Sequence, residues 1–218
     1  MAGSRRKAAP TDHERRLWTE GVRLIAGIDE AGRGAWAGPV VAGAVILPRR
    51  PQIPGVTDSK LLTAAQREAL FDEIAGRALA WAVAAVGPDT ISDINILAST
   101  YRAMIQAVAQ LDPSPDYLLI DGRDAPSFPQ PHLAITGGDA RCYSIAAASI
   151  LAKVWRDRFM RELDKQYPGY GFARHKGYGT REHRRALAEL GPCPQHRRRF
   201  APIMALAQGE LDLAPGTE

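Results

Sequence analysis

Four carboxylates stand where they could do chemistry. Asp29 and Glu30 close an apolar run, Leu24 to Ile28, and a glycine-rich turn follows, with Arg33 between Gly32 and Gly34. Asp121 ends a second apolar run, Tyr117 to Ile120, and Asp139 follows Gly137-Gly138 just ahead of a long helical pattern. Holding acids beside apolar neighbours is costly unless positive charge neutralises them, and a divalent cation is one way to supply it. Oxygen-only donors suit a hard ion, Mg²⁺ or Mn²⁺, rather than zinc. Two metals about 3.5–4 Å apart, bridged by carboxylates, can activate a water and stabilise the leaving oxygen of a phosphodiester.

Each of these residues also has a plainer reading. An Asp-Glu pair in isolation is usually a solvated turn, and Asp139 alone would serve as well to cap a helix N-terminus. Neighbouring side chains on a strand point to opposite faces, so Asp29 and Glu30 are expected to share a site only if the chain leaves strand geometry there. A dinucleotide loop is excluded: the G-x-G-x-x-G spacing fails at Ala37, and the acids ahead of the glycines would repel a pyrophosphate. No Ser-His-Asp or Cys-His arrangement has supporting context. His175, His183 and His196 lie among arginines, where a surface or phosphate-facing role is expected rather than metal ligation.

The elements that must position these acids follow from periodicity. The spacing predicts strands at Leu24–Ile28, Val40–Leu47, Leu79–Val86, Tyr117–Ile120 and His132–Thr136. Thr63 opens a helix, with Gln66 completing a capping box. Helices are further predicted over Ser92–Leu111, Tyr143–Gln166 and Arg181–Leu190. Ligand sites in open α/β sheets lie at the carboxyl ends of strands, where Asp29 and Asp121 fall. Arg174 to Thr180 and Gln195 to Phe200 form a basic stretch with Tyr178 interleaved. It is read equally as a solvated face or as a surface that follows phosphates and stacks a sugar.

The 218 residues suit one domain with a small appendage. A net charge of +4 points to an anionic partner. Two cysteines without metal spacing imply reduced thiols and a cytoplasmic setting. No signal peptide and no membrane span are expected, and a monomer is the default. Residues 1–17 are expected to be a flexible basic tail, 18–208 the catalytic domain with a helical extension from about 167, and 209–218 a flexible tail.

The blocks GIDEAGRGAWAGPVVAGAVIL, TDSKLLTAAQREALFDEI, INIL, LLIDG, SIAAASILAKVWRD and YGFARHKGYGTREH occur in that order between about Leu24 and Pro202. They resemble the successive signature blocks of bacterial ribonuclease HII. The resemblance implies an RNase H-like α/β fold, a mixed sheet flanked by helices with a C-terminal helical extension. It implies a Mn²⁺- or Mg²⁺-dependent endonuclease that cuts the RNA strand of RNA–DNA hybrids. Single ribonucleotides in duplex DNA would also be substrates, cut on their 5′ side to leave 3′-hydroxyl and 5′-phosphate ends. By motif position, Asp29, Glu30, Asp121 and Asp139 match the family's active-site acids. Gly32, Arg33 and Gly34 match the tripeptide that recognises the 2′-hydroxyl, Tyr178 the tyrosine on the junction sugar, and Lys60 a lysine that touches phosphate. Trp36 departs from the family's usual leucine and is expected in the core.

Overall fold

A sheet of five strands carries the site. They are β1 (Ile25–Ala31), β2 (Val40–Ile46), β3 (Ala80–Val86), β4 (Tyr117–Asp121) and β5 (His132–Ile135). The computed structural model describes residues 8–50 and 52–207. The strand order is β3-β2-β1-β4-β5, with β1 antiparallel to β2, β2 antiparallel to β3, and β1, β4 and β5 mutually parallel. The helices are α1 (Asp12–Thr19), α2 (Ala64–Arg77), α3 (Pro88–Ile94), α4 (Ile96–Ala109), α5 (Gly138–Arg141), α6 (Tyr143–Gln166), α7 (Phe172–His175), α8 (Arg181–Leu190) and α9 (Ala201–Ala207). None of the described helices is long and apolar enough to cross a membrane.

Helices cover both faces of the sheet, which is why β1 and β2 are near-continuous apolar runs rather than alternating ones. On one face Ile28, Ala42, Ala44 and Ile120 pack against Ile91 of α3 and Met104 and Val108 of α4. On the other, α6 lies almost on the backbone. A Cβ at Gly27 would collide with the Ser144 carbonyl, and one at Gly43 with the Ala148 carbonyl oxygen. The Ala and Ser of SIAAAS are the small side chains that such an approach requires. Thr63 and Gln66 form the expected capping box at the start of α2.

Three elements differ from the sequence reading. β1 continues through Ala31, paired to Val41, so Asp29 and Glu30 lie inside the strand rather than beyond it. The helix expected over Ser92–Leu111 is two helices, broken at Asn95 with φ of +70°. Asn tolerates that left-handed backbone, and its side chain accepts from the Ala98 N–H to cap α4. Finally, the flexible tail expected over residues 1–17 contains α1, with Leu17 and Glu14 buried. Helix α6 has no side-chain cap of its own. Glu14 supplies one from 130 residues away, Oε1 accepting from the backbone N and Oγ of Ser144 at 2.8 Å each. No local pattern encodes a cap so distant. Residues 1–7 and the tail expected at 209–218 lie outside the described residues.

Beyond α6 the chain wraps three short helices around a small core of Met160, Leu163, Phe172, Leu187 and Ile203. The three histidines expected at the surface are buried inside this unit. His175 stacks on His183 at 4.4 Å between centroids, and His183 Nε2 lies 3.0 Å from His196 Nε2. The neighbours favour one arrangement of protons. The Cys193 N–H donates to His196 Nδ1 at 2.9 Å, shorter than the 3.1 Å from that nitrogen to the Cys193 carbonyl, which places the His196 hydrogen on Nε2, where it donates to His183. His183 then donates from Nδ1 to the Tyr178 carbonyl. The Gly177 N–H donates to His175 Nδ1, leaving His175 Nε2 to donate to the Tyr170 carbonyl. In this arrangement all three imidazoles are neutral and every ring nitrogen is paired. Burial first, and then the neighbouring His175, pushes His183 down to about 4; burial also takes His196 to about 4 and lowers His175.

Two outcomes are expected. Gly27→Ala forces the β1–α6 backbones apart and should destabilise the fold by about 3 kcal/mol or more in denaturant titration; a near-neutral effect contradicts the contact. The unfolded histidines bind protons below about pH 6.5 that the folded ones refuse until about pH 4, so their contribution is complete above 6.5 and is lost as pH falls towards 4. Side-chain NMR should find His183 and His196 still neutral at about pH 5, and either ring charging near the ordinary value refutes the neutral packing.

Candidate active site

Register brings the first two acids together. Ile28 of β1 pairs with Ile120 of β4 in the parallel ladder, so the next residues, Asp29 and Asp121, stand side by side. By strand alternation both share the face of Gly27 and Leu119, beneath α6. Glu30 belongs to the opposite face, yet one oxygen each from Asp29, Glu30 and Asp121 lies within 4.8 Å of the others. The chain need not leave strand geometry for this; the extra methylene of Glu30 supplies the reach.

Hydrogen bonds aim each acid. Asp29 is only 4% exposed, and its Oδ1 accepts from the Glu30 N–H at 2.6 Å. Asp121 Oδ1 accepts from the Gly138 N–H at 2.6 Å. Glu30 Oε1 accepts from Arg33 Nη1 at 3.0 Å. Burial, then repulsion from Glu30 and Asp121, holds the Asp29 carboxyl well above the usual carboxylate range. Burial also raises Glu30, against the pull of Arg33, and Asp121, against the Gly138 N–H. Three mutually repelling carboxylates in one partly desolvated spot form a donor set suited to a cation. The all-oxygen chemistry fits a hard divalent ion, and these three residues would hold it.

Asp139 is outside that group of three. It lies within α5 rather than capping α6, and its Oδ2 accepts from Lys60 Nζ at 2.9 Å. Lys60 sits on a 3₁₀ turn, Ser59–Leu61, where Asp58 accepts from the Lys60 backbone N–H and Ser59 Oγ meets Ser149 Oγ at 2.8 Å. The hydrogen bond to Asp139 is the chief cause that raises the Lys60 pKa. Lys60 and Asp139 therefore border the cluster as an ion pair.

The Gly32-Arg33-Gly34 turn stands directly beyond Glu30. Gly32 has φ of +91°, and a Cβ there would strike the Arg156 guanidinium. Tyr178, from the turn between α7 and α8, is 37% exposed, with the Arg156 Cζ 5.5 Å and the Lys153 Nζ 5.9 Å from its ring centre. The Trp36 N–H donates to the Gly177 carbonyl at 2.8 Å, tying the two turns together. Trp36 itself is half-buried against His183, with Arg184 5.5 Å from its ring centre.

Two residues here escape a sequence reading. Arg156, a charge within the apolar pattern of α6, is 0% exposed and donates to the carbonyls of Pro39, Ala37 and Lys176. Arg197, taken as part of a basic surface, is 0% exposed and donates to the carbonyls of Gly38, Arg33 and Gly32. Its neighbours Arg198 and Arg199 are the exposed ones. Burial pulls Arg197 down to about 9. Arg156 did carry a signal, a charged residue on the buried face of α6 between Ala152 and Met160; Arg197 had none.

A family model described as Ribonuclease HII matches residues 26–203. The ribonuclease HII of Geobacter metallireducens is 55% identical over 194 residues, covering 86% of this chain and 91% of that protein. The crystal structure of ribonuclease H2 from Pyrococcus horikoshii superposes with a TM-score of 0.72 at 27% identity, covering 86% of this chain and 99% of that one. A Bst ribonuclease HIII solved with Mn²⁺ shares the fold, with a TM-score of 0.62 at 19% identity over 86% of this chain and 70% of that one.

The carboxylate cluster generates a prediction that needs no substrate. Adding Mn²⁺ should raise the thermal midpoint, by about 2.7 kcal/mol of stabilisation at a hundredfold excess over Kd. Asp29→Asn and Asp121→Asn, each removing a repelling charge, should be at least as stable as the parent in chelator and lose most of the Mn²⁺ response. A full Mn²⁺ response in Asp121→Asn would remove that residue from the donor set.

Proposed function

The chain belongs to the ribonuclease HII family, and we propose that it cleaves the RNA strand of RNA–DNA hybrids and single ribonucleotides embedded in duplex DNA. It cuts on the 5′ side of the ribonucleotide and leaves 3′-hydroxyl and 5′-phosphate ends. The observation that carries this reading is the convergence of Asp29, Glu30 and Asp121 within 4.8 Å, one residue from a glycine turn.

Asp29, Glu30 and Asp121 would hold divalent metal, Mn²⁺ or Mg²⁺, and Asp139 would add a carboxylate once a substrate phosphate drew Lys60 away. Bound there, such an ion would supply Lewis acidity. The protein's own groups do the rest. The Gly138 N–H and the buried Ser149 contact keep Asp121 and Asp29 aimed at the strand ends. The N–H groups of Arg33 and Gly34, without an acceptor among the described residues, offer donors to a 2′-hydroxyl. Half-exposed Arg33 offsets the charge of Glu30. The Tyr178 ring presents a face to the sugar at the ribonucleotide–deoxyribonucleotide junction, over a floor made cationic by Arg156 and Lys153. Both cysteines are free, Cys142 fully buried, consistent with a reducing cytoplasm, and the protein acts as a monomer.

The test is a labelled duplex with one ribonucleotide, beside an all-DNA duplex and a long hybrid, with each metal and the product ends mapped. Cleavage should occur 5′ to the ribonucleotide and leave all-DNA intact; equal cutting of all-DNA overturns the reading. Asp29→Asn and Asp121→Asn should keep fold and duplex binding yet lose on the order of 10²-fold or more in rate. Tyr178→Ala should harm single-ribonucleotide cleavage more than hybrid cleavage, and equal losses would remove its junction role.

A further inference from the structure

We propose that Arg197 is a positioning residue that sets the sugar selectivity of the Gly32–Gly34 turn. The inference rests on the ribonucleotide reading above and deepens it by naming the group that keeps the turn selective.

Geometry carries it. Arg197 Nη2 donates to the Gly32 carbonyl at 2.6 Å and Nη1 to the Arg33 carbonyl at 2.7 Å, while Nε donates to the Gly38 carbonyl at 3.0 Å. In a planar trans peptide the carbonyl of one residue and the N–H of the next point in opposite directions. Drawing the carbonyls of Gly32 and Arg33 onto a buried fork therefore turns the N–H groups of Arg33 and Gly34 away from it. Neither N–H has an acceptor among the described residues. Arg33 and Gly34 are exposed, beside the end of the strand that carries Glu30. The result is a pair of aimed donors next to the cluster of acids, suited to one sugar oxygen. Positive charge on the carbonyl side also polarises those peptides and strengthens the N–H groups as donors.

The choice of side chain supports a role beyond packing. A buried guanidinium with no carboxylate partner among the described residues is an expensive way to fill a core, and apolar residues do that more cheaply. What an arginine adds is a rigid planar fork able to hold adjacent carbonyls at once, which a lysine cannot reproduce. Arg156 takes the neighbouring carbonyls of Ala37 and Pro39, so the loop from Gly32 to Pro39 is held from below by two forks. Arg197 is the side chain that holds both peptides presenting the donors; the Gly32 carbonyl also accepts from the Ala35 N–H at 3.3 Å.

The experiment compares affinity for a duplex bearing one ribonucleotide with affinity for the same all-DNA duplex, in Ca²⁺, for the parent, Arg197→Lys and Arg197→Met. Folding is checked by circular dichroism and the acid cluster by the Mn²⁺ shift in thermal midpoint. A folded variant should keep the Mn²⁺ shift and bind all-DNA within about threefold of the parent, while its preference for the ribonucleotide falls about tenfold or more. A folded variant that keeps the parent's preference overturns the proposal, whatever stability it has lost. If neither variant folds, Arg197 is a structural residue and the proposal is withdrawn. A parent protein with no ribonucleotide preference would instead overturn the ribonucleotide reading itself, a result separate from any effect of the substitutions.

Discussion

The close approach of α6 to β1 and β2 is the constraint on which the site depends. At Gly27 and Gly43 the helix backbone occupies the space where side chains would be, and this fixes the sheet against a rigid rod. Strands β1 and β4 are held in parallel register beneath it. Asp29 and Asp121 then cannot relax apart, although their charges favour doing so. Repulsion that a looser scaffold would relieve by moving is here kept as an affinity for a cation.

The same helix joins the acids to the other half of the site. Its first turn is capped from the N-terminal segment by Glu14, and its middle supplies Ser149 beneath Asp29. Lys153 and Arg156 beneath Tyr178 come from its next turns, and Met160 anchors the C-terminal unit. One rigid element therefore sets the distance between the clustered acids and the Tyr178 surface. Charge is arranged along it by sign: clustered carboxylates at the sheet end, buried guanidiniums beneath the turns. The neutral histidines fit this pattern, since a further buried positive charge beside Arg197 would add cost and no partner.

Much of the fold was legible because it is written locally. The apolar runs that end in acid gave β1 and β4 and the acids they carry, Thr63 and Gln66 gave the start of α2, and the Ala- and Ser-rich run gave α6 with the bounds observed. Local rules also explain the misreading at Asn95: its helical periodicity continues on both sides, and only the backbone angle reveals the break. Motif resemblance singled out Lys60 and Tyr178, whose spacing alone says nothing.

The sequence by itself determined which residues could chelate a metal and which segments would be strands and helices, because periodicity and end signals act over a few residues. Tertiary structure alone decided that Glu30 reaches the same cluster of acids as Asp29 from a continuous strand, and that Lys60 faces Asp139. It alone decided that Glu14 caps a helix 130 residues away and that Arg197 lies buried beneath a turn 164 residues before it. The physical reason is common to all four. Whether a charged side chain is solvated or buried depends on what the rest of the chain brings to it, and a run such as His196-Arg197-Arg198-Arg199 carries the same residues in either case.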